Sequence, residues 1–185
     1  MGASYGAFRT TLVFDLADRL ELEAMAVSGT FEWRASPRWT LSASAGGIFL
    51  GRLASDTESF DFSGGLVGSF SGSFLALEQG KYSPFIMVAG SVAVSGVRAA
   101  PTAYVAIDLR LTTVVGWTLF ERFTPYAVGR LFGGPVFWRN QVGTDLYHYQ
   151  VGAGFVVGLP FGLDLSAELI PLGEQRVTAG LGYSF

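Results

Sequence analysis

Apolar and polar residues alternate in short segments along almost the whole chain. In the last eleven residues, Val177, Ala179, Leu181, Tyr183 and Phe185 form an apolar row, and the residues between them are small or polar. Successive side chains of a β-strand point to opposite faces, so this pattern predicts a strand with two different environments. The same alternation predicts about ten strands, over residues 8–17, 25–34, 39–49, 60–74, 84–94, 105–118, 126–137, 147–157, 163–169 and 175–185. Merging or splitting one hairpin would give eight or twelve strands.

The composition favours a membrane protein over a soluble one. Only 15% of the residues are charged, 50% are hydrophobic, and the mean hydropathy is +0.40, whereas a soluble surface ordinarily carries roughly a quarter or more charged residues. A membrane helix needs about twenty apolar residues, which no segment offers, but a tilted barrel strand needs only about ten. We therefore predict an all-β fold, a closed antiparallel up-and-down transmembrane β-barrel that forms one domain over residues 1–185.

The C-terminal segment, Val177 to Phe185, resembles the closing strand of Gram-negative outer-membrane β-barrels, whose last residue is typically Phe preceded by alternating apolar and aromatic positions. The resemblance covers one strand. It implies a bacterial outer-membrane location, contact with the lipid bilayer and lipopolysaccharide, and recognition of this strand by the barrel-assembly machinery. Met1-Gly2-Ala3-Ser4 does not begin a signal peptide, so we expect that the export signal has been removed and a Met added. A protein that stays in the cytoplasm is the alternative.

The connections between the predicted strands differ in length at the two ends. Those near Pro37, Gln79, Glu121 and Pro160 are short, and those near residues 18, 56, 98 and 140 are mostly longer. Outer-membrane barrels have short periplasmic turns and longer external loops, which predicts that both chain termini lie on the periplasmic side. All seven prolines lie at predicted strand ends, where a missing N–H does not interrupt a ladder.

The polar row indicates which face of the barrel contacts lipid. It consists mainly of Ser, Gly, Thr and Ala, and Lys81 is the only lysine. The exterior of a soluble barrel would carry many charges, so we expect the polar row to line a lumen and the apolar row to face lipid. A soluble lipocalin-like carrier is the alternative. The predicted lipid-facing aromatics form two levels: Trp33, Trp39, Phe74, Trp117, Tyr183 and Phe185 at the turn end, and Phe14, Phe49, Phe60, Phe62, Phe137 and Tyr147 at the loop end.

The charged residues within the strands are predicted to form a network in the lumen, because a charge facing mid-bilayer costs roughly 2–4 kcal/mol. We expect Arg176 to lie between Glu168 and Asp15 near the loop end, and Arg9 to lie beside Glu32 and Arg34 near the turn end. These charges either pair with one another to tie the wall together or line a solute path. The predicted network comprises Arg9, Asp15, Glu32, Arg34, Asp61, Asp108, Arg110, Arg130, Asp164, Glu168 and Arg176.

His148 is the only histidine and a weak catalytic candidate. With ten strands the chain resembles omptin proteases, which have an Asp/His site near the external rim, and this implies a role for His148 with rim carboxylates such as Asp61 or Glu168. The paired acidic motif of omptins and the His-x-Ser of outer-membrane lipases are both missing. We therefore expect that the protein is not an enzyme. Because the chain has a single His and no Cys, we expect no transition-metal site, with only weak Ca²⁺ binding open to rim carboxylates. We expect no cofactor.

Gly64, Gly68 and Gly72 fall on the predicted lipid-facing row of one strand. Small residues let backbones approach closely in membranes, so this row is a candidate contact face for a protein partner. The basic residues are scattered and the net charge is −3, which predicts no nucleic-acid binding. The sequence thus predicts a structural or interaction role, or a narrow passive channel for small solutes, with the hydrolase and the soluble carrier as alternatives.

Overall fold

The computed structural model describes residues 1–14, 18–55, 58–62, 64–99, 102–139 and 141–183. These residues form strands and one short 3₁₀ turn, Pro160–Gly162. The strands are β1 (Gly2–Phe14), β2 (Asp18–Arg34), β3 (Trp39–Ala54), β4 (Ser59–Phe62), β5 (Gly65–Leu77), β6 (Phe85–Ala99), β7 (Thr102–Gly116), β8 (Phe123–Gly133), β9 (Val136–Trp138), β10 (Gln141–Asp145), β11 (Tyr149–Gly158), β12 (Leu163–Gly173) and β13 (Gln175–Tyr183). Among the described residues, no helix is long and apolar enough to cross a membrane.

The strands close into a ten-stranded antiparallel barrel, which confirms the predicted fold class. Strands adjacent in sequence pair with each other, and β13 pairs with β1 to complete the ring. Thirteen segments occupy ten places in the wall because three pairs of segments continue one another. Segments β4 and β5 both pair with β3, and segments β8 and β9 both pair with β7. Segment β10 pairs with β9, and segment β11 pairs with β8.

The strands are strongly tilted. The paired residues can be followed once around the barrel, starting at Tyr104 in β7 and passing in turn through β6, β5, β3, β2, β1, β13, β12, β11 and β8. The path returns to β7 at Gly116, twelve residues further along that strand. A stagger of this size over ten strands corresponds to a tilt of roughly 40°. The turn end of the barrel carries both described termini and the connections near residues 36, 80, 120 and 161, and the loop end lies opposite.

The barrel narrows from ten strands to eight at the loop end. The β12–β13 hairpin stops at Glu174, and above it β10 pairs directly with β1, with Leu12 opposite Asp145 and Phe14 opposite Gly143. An eight-stranded barrel is just narrow enough for side chains to fill its interior. The filled interior, here called the apolar plug, consists of Leu12, Phe14, Leu20, Leu22, Ala24, Ile48, Leu53, Phe62, Val97, Tyr104, Val136 and Trp138.

The outer face carries the apolar row over the middle of the barrel, as predicted. Leu109 is 62% exposed and Val151 is 47% exposed, while their neighbours Arg110 and Gln150 face inward. At the turn end, Trp33, Trp39 and Tyr183 are exposed on this face and form an aromatic level. A transmembrane barrel presents such an apolar band about 25 Å tall with aromatic girdles.

The predicted aromatic level at the loop end is wrong for three of its members. Phe14 and Phe62 are 1% and 5% exposed and face the interior, and Phe60 packs against the same interior cluster. The reason is that β1, β2 and β3 extend above the lipid-facing band, where their apolar side chains fill the narrowed barrel. The exposed side chains of Phe49, Phe137 and Tyr147 agree with the prediction.

A bulge in β3 changes which side chains face outward near the loop end. The β2–β3 pairing passes from Ala26 opposite Ile48 to Met25 opposite Leu50, so Phe49 is an extra residue. Beyond the bulge, Leu53 is buried inside and Arg52 is exposed outside. A bulge inserts one residue and shifts the alternation of a strand by one position.

The long fourth strand predicted over residues 60–74 is interrupted. Gly64 has φ +99°, a conformation that side chains with a Cβ rarely adopt, and it separates β4 from β5. Asp15 and Phe185, which the sequence analysis named, lie outside the described part of the chain.

Candidate lumenal site

A cavity of about 260 Å³ lies in the lumen beneath the apolar plug. Phe8, Phe62 and Tyr104 line its loop-end side and form an apolar ceiling. The rest of its lining consists of aliphatic residues, small hydroxyl residues and charged residues. The cavity brings together three of the predicted lumen charges, Asp108, Arg110 and Arg176.

Serine pairs from neighbouring strands form one wall of the lumen. Ser4 lies opposite Ser28, Ser42 opposite Ser71, and Ser44 opposite Ser69, and the hydroxyl oxygens of these pairs are 2.9, 2.6 and 2.6 Å apart. Facing side chains on adjacent strands are close enough for such hydrogen bonds. Small side chains on β1, β2, β3 and β5 therefore leave volume while keeping the wall polar.

An ion pair between Arg130 and Glu168 joins β8 to β12 on the opposite wall. One guanidinium nitrogen of Arg130, Nη2, donates to both carboxylate oxygens of Glu168 at 2.8 Å. The Tyr126 hydroxyl donates to the same carboxylate at 3.3 Å, and Nη1 of Arg130 donates to Gln150 at 3.4 Å. The two charged side chains are only 15% and 14% exposed, so they neutralise each other in a largely dehydrated place.

Asp108 and Arg110 form a second ion pair along β7. Nη2 of Arg110 donates to Oδ2 of Asp108 at 2.6 Å, and the guanidinium carbon lies 5.0 Å from the ring centre of Phe132. The other carboxylate oxygen of Asp108, Oδ1, is buried without a hydrogen-bond partner among the described residues. A buried acceptor without a donor is costly, so this oxygen marks a position that a water or a solute donor would stabilise.

Polar residues gather at the fork where the wall changes from ten strands to eight. Gln150 is fully buried and donates to Glu174 at 2.7 Å, and the Thr10 hydroxyl donates to Asp145 at 3.1 Å. None of these four residues belongs to the predicted network of lumen charges. Asp145 ends β10 and Glu174 lies between β12 and β13, so strand alternation does not place them. The pairing of β10 with β1 brings Asp145 to Thr10, and the pairing of β11 with β12 brings Gln150 to Glu174.

Arg176 faces the cavity without a charged partner. Its Nε donates to the Thr178 hydroxyl at 3.2 Å, and no carboxylate of the described residues lies within salt-bridge distance of it. The predicted pairing with Glu168 is wrong because Arg130 occupies that carboxylate, and Asp15 lies outside the described residues. Arg176 is therefore a lumenal cation without a salt bridge to any of the described residues.

Two predicted lumen charges lie on the outer face instead. Arg9 is exposed and pairs with Glu21 at 2.7 Å and Glu23 at 3.3 Å, near the loop end and far from Glu32. Asp61 is exposed beside Arg52, with 4.0 Å between the charged groups. Strand β1 begins at Gly2 with Ala3 and Tyr5 outward, which sets the parity of Arg9, and the bulge in β3 sets the outward face of its partner β4.

The remaining predicted charges lie near the turn end. Glu32 and Arg34 are exposed at the end of β2, and Arg34 donates to the carbonyl of Pro37 at 3.0 Å. Asp164 is half-buried at the start of β12, on the inward-facing row with Glu168. These groups lie nearer the turn end than the residues that line the cavity.

His148 lies in the connection between β10 and β11 and is exposed. Its carbonyl accepts a hydrogen bond from Phe132, and its Nδ1 would lie 3.1 Å from a Cβ placed on Gly133. Asp61 and Glu168, the acids proposed as partners, are engaged with Arg52 and Arg130. A general base needs an orienting group within hydrogen-bond reach, and the described residues supply none to His148.

No group of three or more metal-ligating side chains occurs among the described residues.

The three glycines predicted to form one contact face do not all lie on the same strand. Gly68 and Gly72 lie opposite Ala45 and Leu41 on the outer face of β5, whereas Gly64 forms the break before that strand.

Comparison with solved structures finds proteins of similar fold, one of them with a TM-score above 0.5. The COG4313 outer membrane channel from Pseudomonas putida F1 is similar over 100% of this chain and 94% of that chain, with a TM-score of 0.54 and 8% identity. The transport unit of the autotransporter AIDA-I from Escherichia coli (11% identity, 100% and 89% covered) and the β domain of the Bordetella autotransporter BrkA (16% identity, 100% and 99% covered) both have TM-scores of 0.49.

No family model matches the sequence, and no curated protein matches it. The likeness to the channel from Pseudomonas putida, at 8% identity, is a likeness of fold. That channel is an outer-membrane protein, which agrees with the predicted location in the outer membrane. The chain therefore has the closed transmembrane β-barrel fold of bacterial outer-membrane proteins.

Proposed function

We propose that this protein is a narrow outer-membrane channel for small solutes, with a lumen open at the turn end and closed by the apolar plug at the loop end. The change in burial along the inward-facing positions carries this proposal. Large apolar side chains near the loop end are 0–8% exposed. Near the turn end the inward positions hold small residues that are not buried, namely Gly2, Thr30, Ser42, Ser71, Gly154, Gly180 and Gly182.

The narrowing of the wall is the physical cause of this difference. A ten-stranded section with small inward residues holds water, whereas the eight-stranded section above it is filled by side chains. The plug includes Val136 and Trp138 from the β9–β10 hairpin, which pairs with β7 and β1. Solute passage requires this apolar section to rearrange, so the closed state conducts little.

Conductance across planar bilayers tests the proposal. We expect the wild-type barrel to give rare, brief openings and the double variant Phe62→Ala/Trp138→Ala to give long-lived ones, because two large plug side chains are removed. The matched control is Phe70→Ala/Phe137→Ala, which removes exposed aromatics from the outer face of β5 and β9. The control should conduct as the wild type does.

Silence of a folded Phe62→Ala/Trp138→Ala barrel would rule out the channel and leave a structural role. Steady conductance of the wild type would show that the plug does not close the lumen. Neither outcome depends on His148, and a His148→Ala variant should leave the recordings unchanged.

We also propose that the outer face of β5 contacts a protein partner at Gly68 and Gly72. At Gly68, a Cβ would come no closer than 3.7 Å to any neighbour, so the face has room for close approach of another backbone. Gly68→Leu and Gly72→Leu should dissociate a complex isolated in mild detergent, and an unchanged complex would remove this role.

We also propose, from the alternating pattern of the C-terminal strand, that the barrel-assembly machinery recognises β13 and that the barrel contacts lipopolysaccharide.

A further inference from the structure

The cavity contains an arginine, Arg176, that forms no salt bridge with the described residues. The Nε of Arg176 donates a hydrogen bond to the Thr178 hydroxyl, and its terminal guanidinium nitrogens form no ion pair with the described residues. Arg110 and Arg130, by contrast, each have a carboxylate partner at 2.6–2.8 Å. Charged groups inside a barrel are costly unless they pair or serve a solute path, so Arg176 points to an anionic group supplied from outside the protein.

The same cavity contains carboxylate oxygens that accept no hydrogen bond from a cationic side chain of the described residues. Asp145 accepts a hydrogen bond from the Thr10 hydroxyl, and Glu174 accepts one from the Gln150 amide. Both donors are neutral. Oδ1 of Asp108 has no donor among the described residues. All three carboxylates line the cavity with Arg176. A hydrogen bond to an ion is stronger when the donor is also charged, so these groups favour an ammonium donor over a neutral one.

The size of the cavity limits the solute. A volume of about 260 Å³ equals the liquid volume of roughly nine water molecules at about 30 Å³ each. The apolar ceiling of Phe8, Phe62 and Tyr104 closes one side and offers contact to a short hydrocarbon group. The serine wall supplies hydroxyls that can donate or accept.

We propose that this cavity binds a small zwitterionic solute, with its carboxylate at Arg176 and its ammonium at the carboxylates of Asp108, Asp145 and Glu174. A purely anionic solute would lie against those carboxylates, and a purely cationic one would lie against Arg176. A zwitterion satisfies both sets at once. The proposal rests on the channel function, since it names the class of solute that enters the lumen from the turn end.

Binding of L-alanine to the detergent-solubilised full chain tests the proposal, measured by saturation-transfer NMR titration. Lactate lacks the ammonium group and ethanolamine lacks the carboxylate. We expect L-alanine to bind and each of these two compounds to bind at least tenfold more weakly. Arg176→Gln should weaken L-alanine binding at least tenfold, whereas Arg9→Gln, which removes an exposed arginine from the outer face of the barrel, should leave it unchanged.

Equal binding of lactate or ethanolamine by the wild type would overturn the proposal, and this comparison needs no variant to fold. The absence of L-alanine binding, or full binding by a folded Arg176→Gln barrel, would overturn it as well. If the plug variant conducts while L-alanine does not bind, the zwitterion site fails and the channel stands. If the plug variant is silent, the channel itself fails.

Discussion

Arg130 and Arg176 face the same lumen in different electrostatic surroundings. Arg130 contacts both oxygens of Glu168, and the pair is about 15% exposed, so the two charges depend on each other. Among the described residues, Arg176 donates a hydrogen bond to the Thr178 hydroxyl and forms no salt bridge. One arginine therefore ties two strands together, and the other is the one that we propose binds a solute.

Glu168→Gln is expected to destabilise the barrel by about 3 kcal/mol, because it leaves Arg130 charged and unpaired in a largely dehydrated place. Urea unfolding in lipid vesicles measures this loss. Glu21→Gln is the control, since its pair with Arg9 is about half exposed and an exposed pair contributes little. Equal stability of Glu168→Gln and the wild type would show that water already screens the lumenal pair.

At the scale of strands, the alternation of one segment does not always continue into the next. The bulge at Phe49 and the break at Gly64 both lie near the loop end, and each turns the following residues to a different side. This explains why Asp61 and Arg52 lie outside while Phe62 lies inside. A strand that leaves the lipid-facing band no longer needs to keep its apolar side outward.

Gly64→Ala should cost about 1–2 kcal/mol, because its φ of +99° suits glycine and strains a residue with a Cβ. No atom lies within 4 Å of the added methyl group, so the loss would come from the backbone alone. Gly90→Ala, which has open space around it and no positive φ, should be neutral or slightly stabilising. Unfolding midpoints of the two variants would measure the difference, and equal midpoints would contradict the role of Gly64.

At the scale of the whole molecule, the barrel consists of two sections with different contents. The ten-stranded section holds the cavity, the serine wall and the ion pairs, and the eight-stranded section holds the plug. The pairing of β10 with β1 creates the boundary, and the polar fork of Gln150 and Glu174 lies there. The lumen that we propose as a solute channel therefore changes in width along its axis.

Spin labels test which face of the wall contacts lipid. Labels at Leu109 and Val151 should be accessible to oxygen dissolved in the bilayer, because both side chains lie exposed on the outer face. Labels at Arg110 and Gln150 should instead be shielded from it, since both face the interior. A reversed pattern in power-saturation measurements would mean that the barrel is inside out.

The sequence by itself determined the fold class, the approximate number of strands and the lipid-facing row over the middle of the barrel. These follow from local alternation and from a composition with few charges, and both are readable one segment at a time. The same alternation of polar and apolar residues placed five charged residues on the row that faces inward in the structure, namely Asp108, Arg110, Arg130, Glu168 and Arg176.

Only the tertiary structure decided how the barrel ends. That β10 pairs with β1, that Phe14 and Phe62 fill a plug, and that Gln150, Glu174, Asp145 and Thr10 meet at a fork all depend on strands far apart in sequence. Alternation reports that a residue changes sides relative to its neighbour, but it does not report how many strands surround that residue. The number of strands at each level sets whether an inward side chain meets water or another side chain, and that number is a property of the closed barrel.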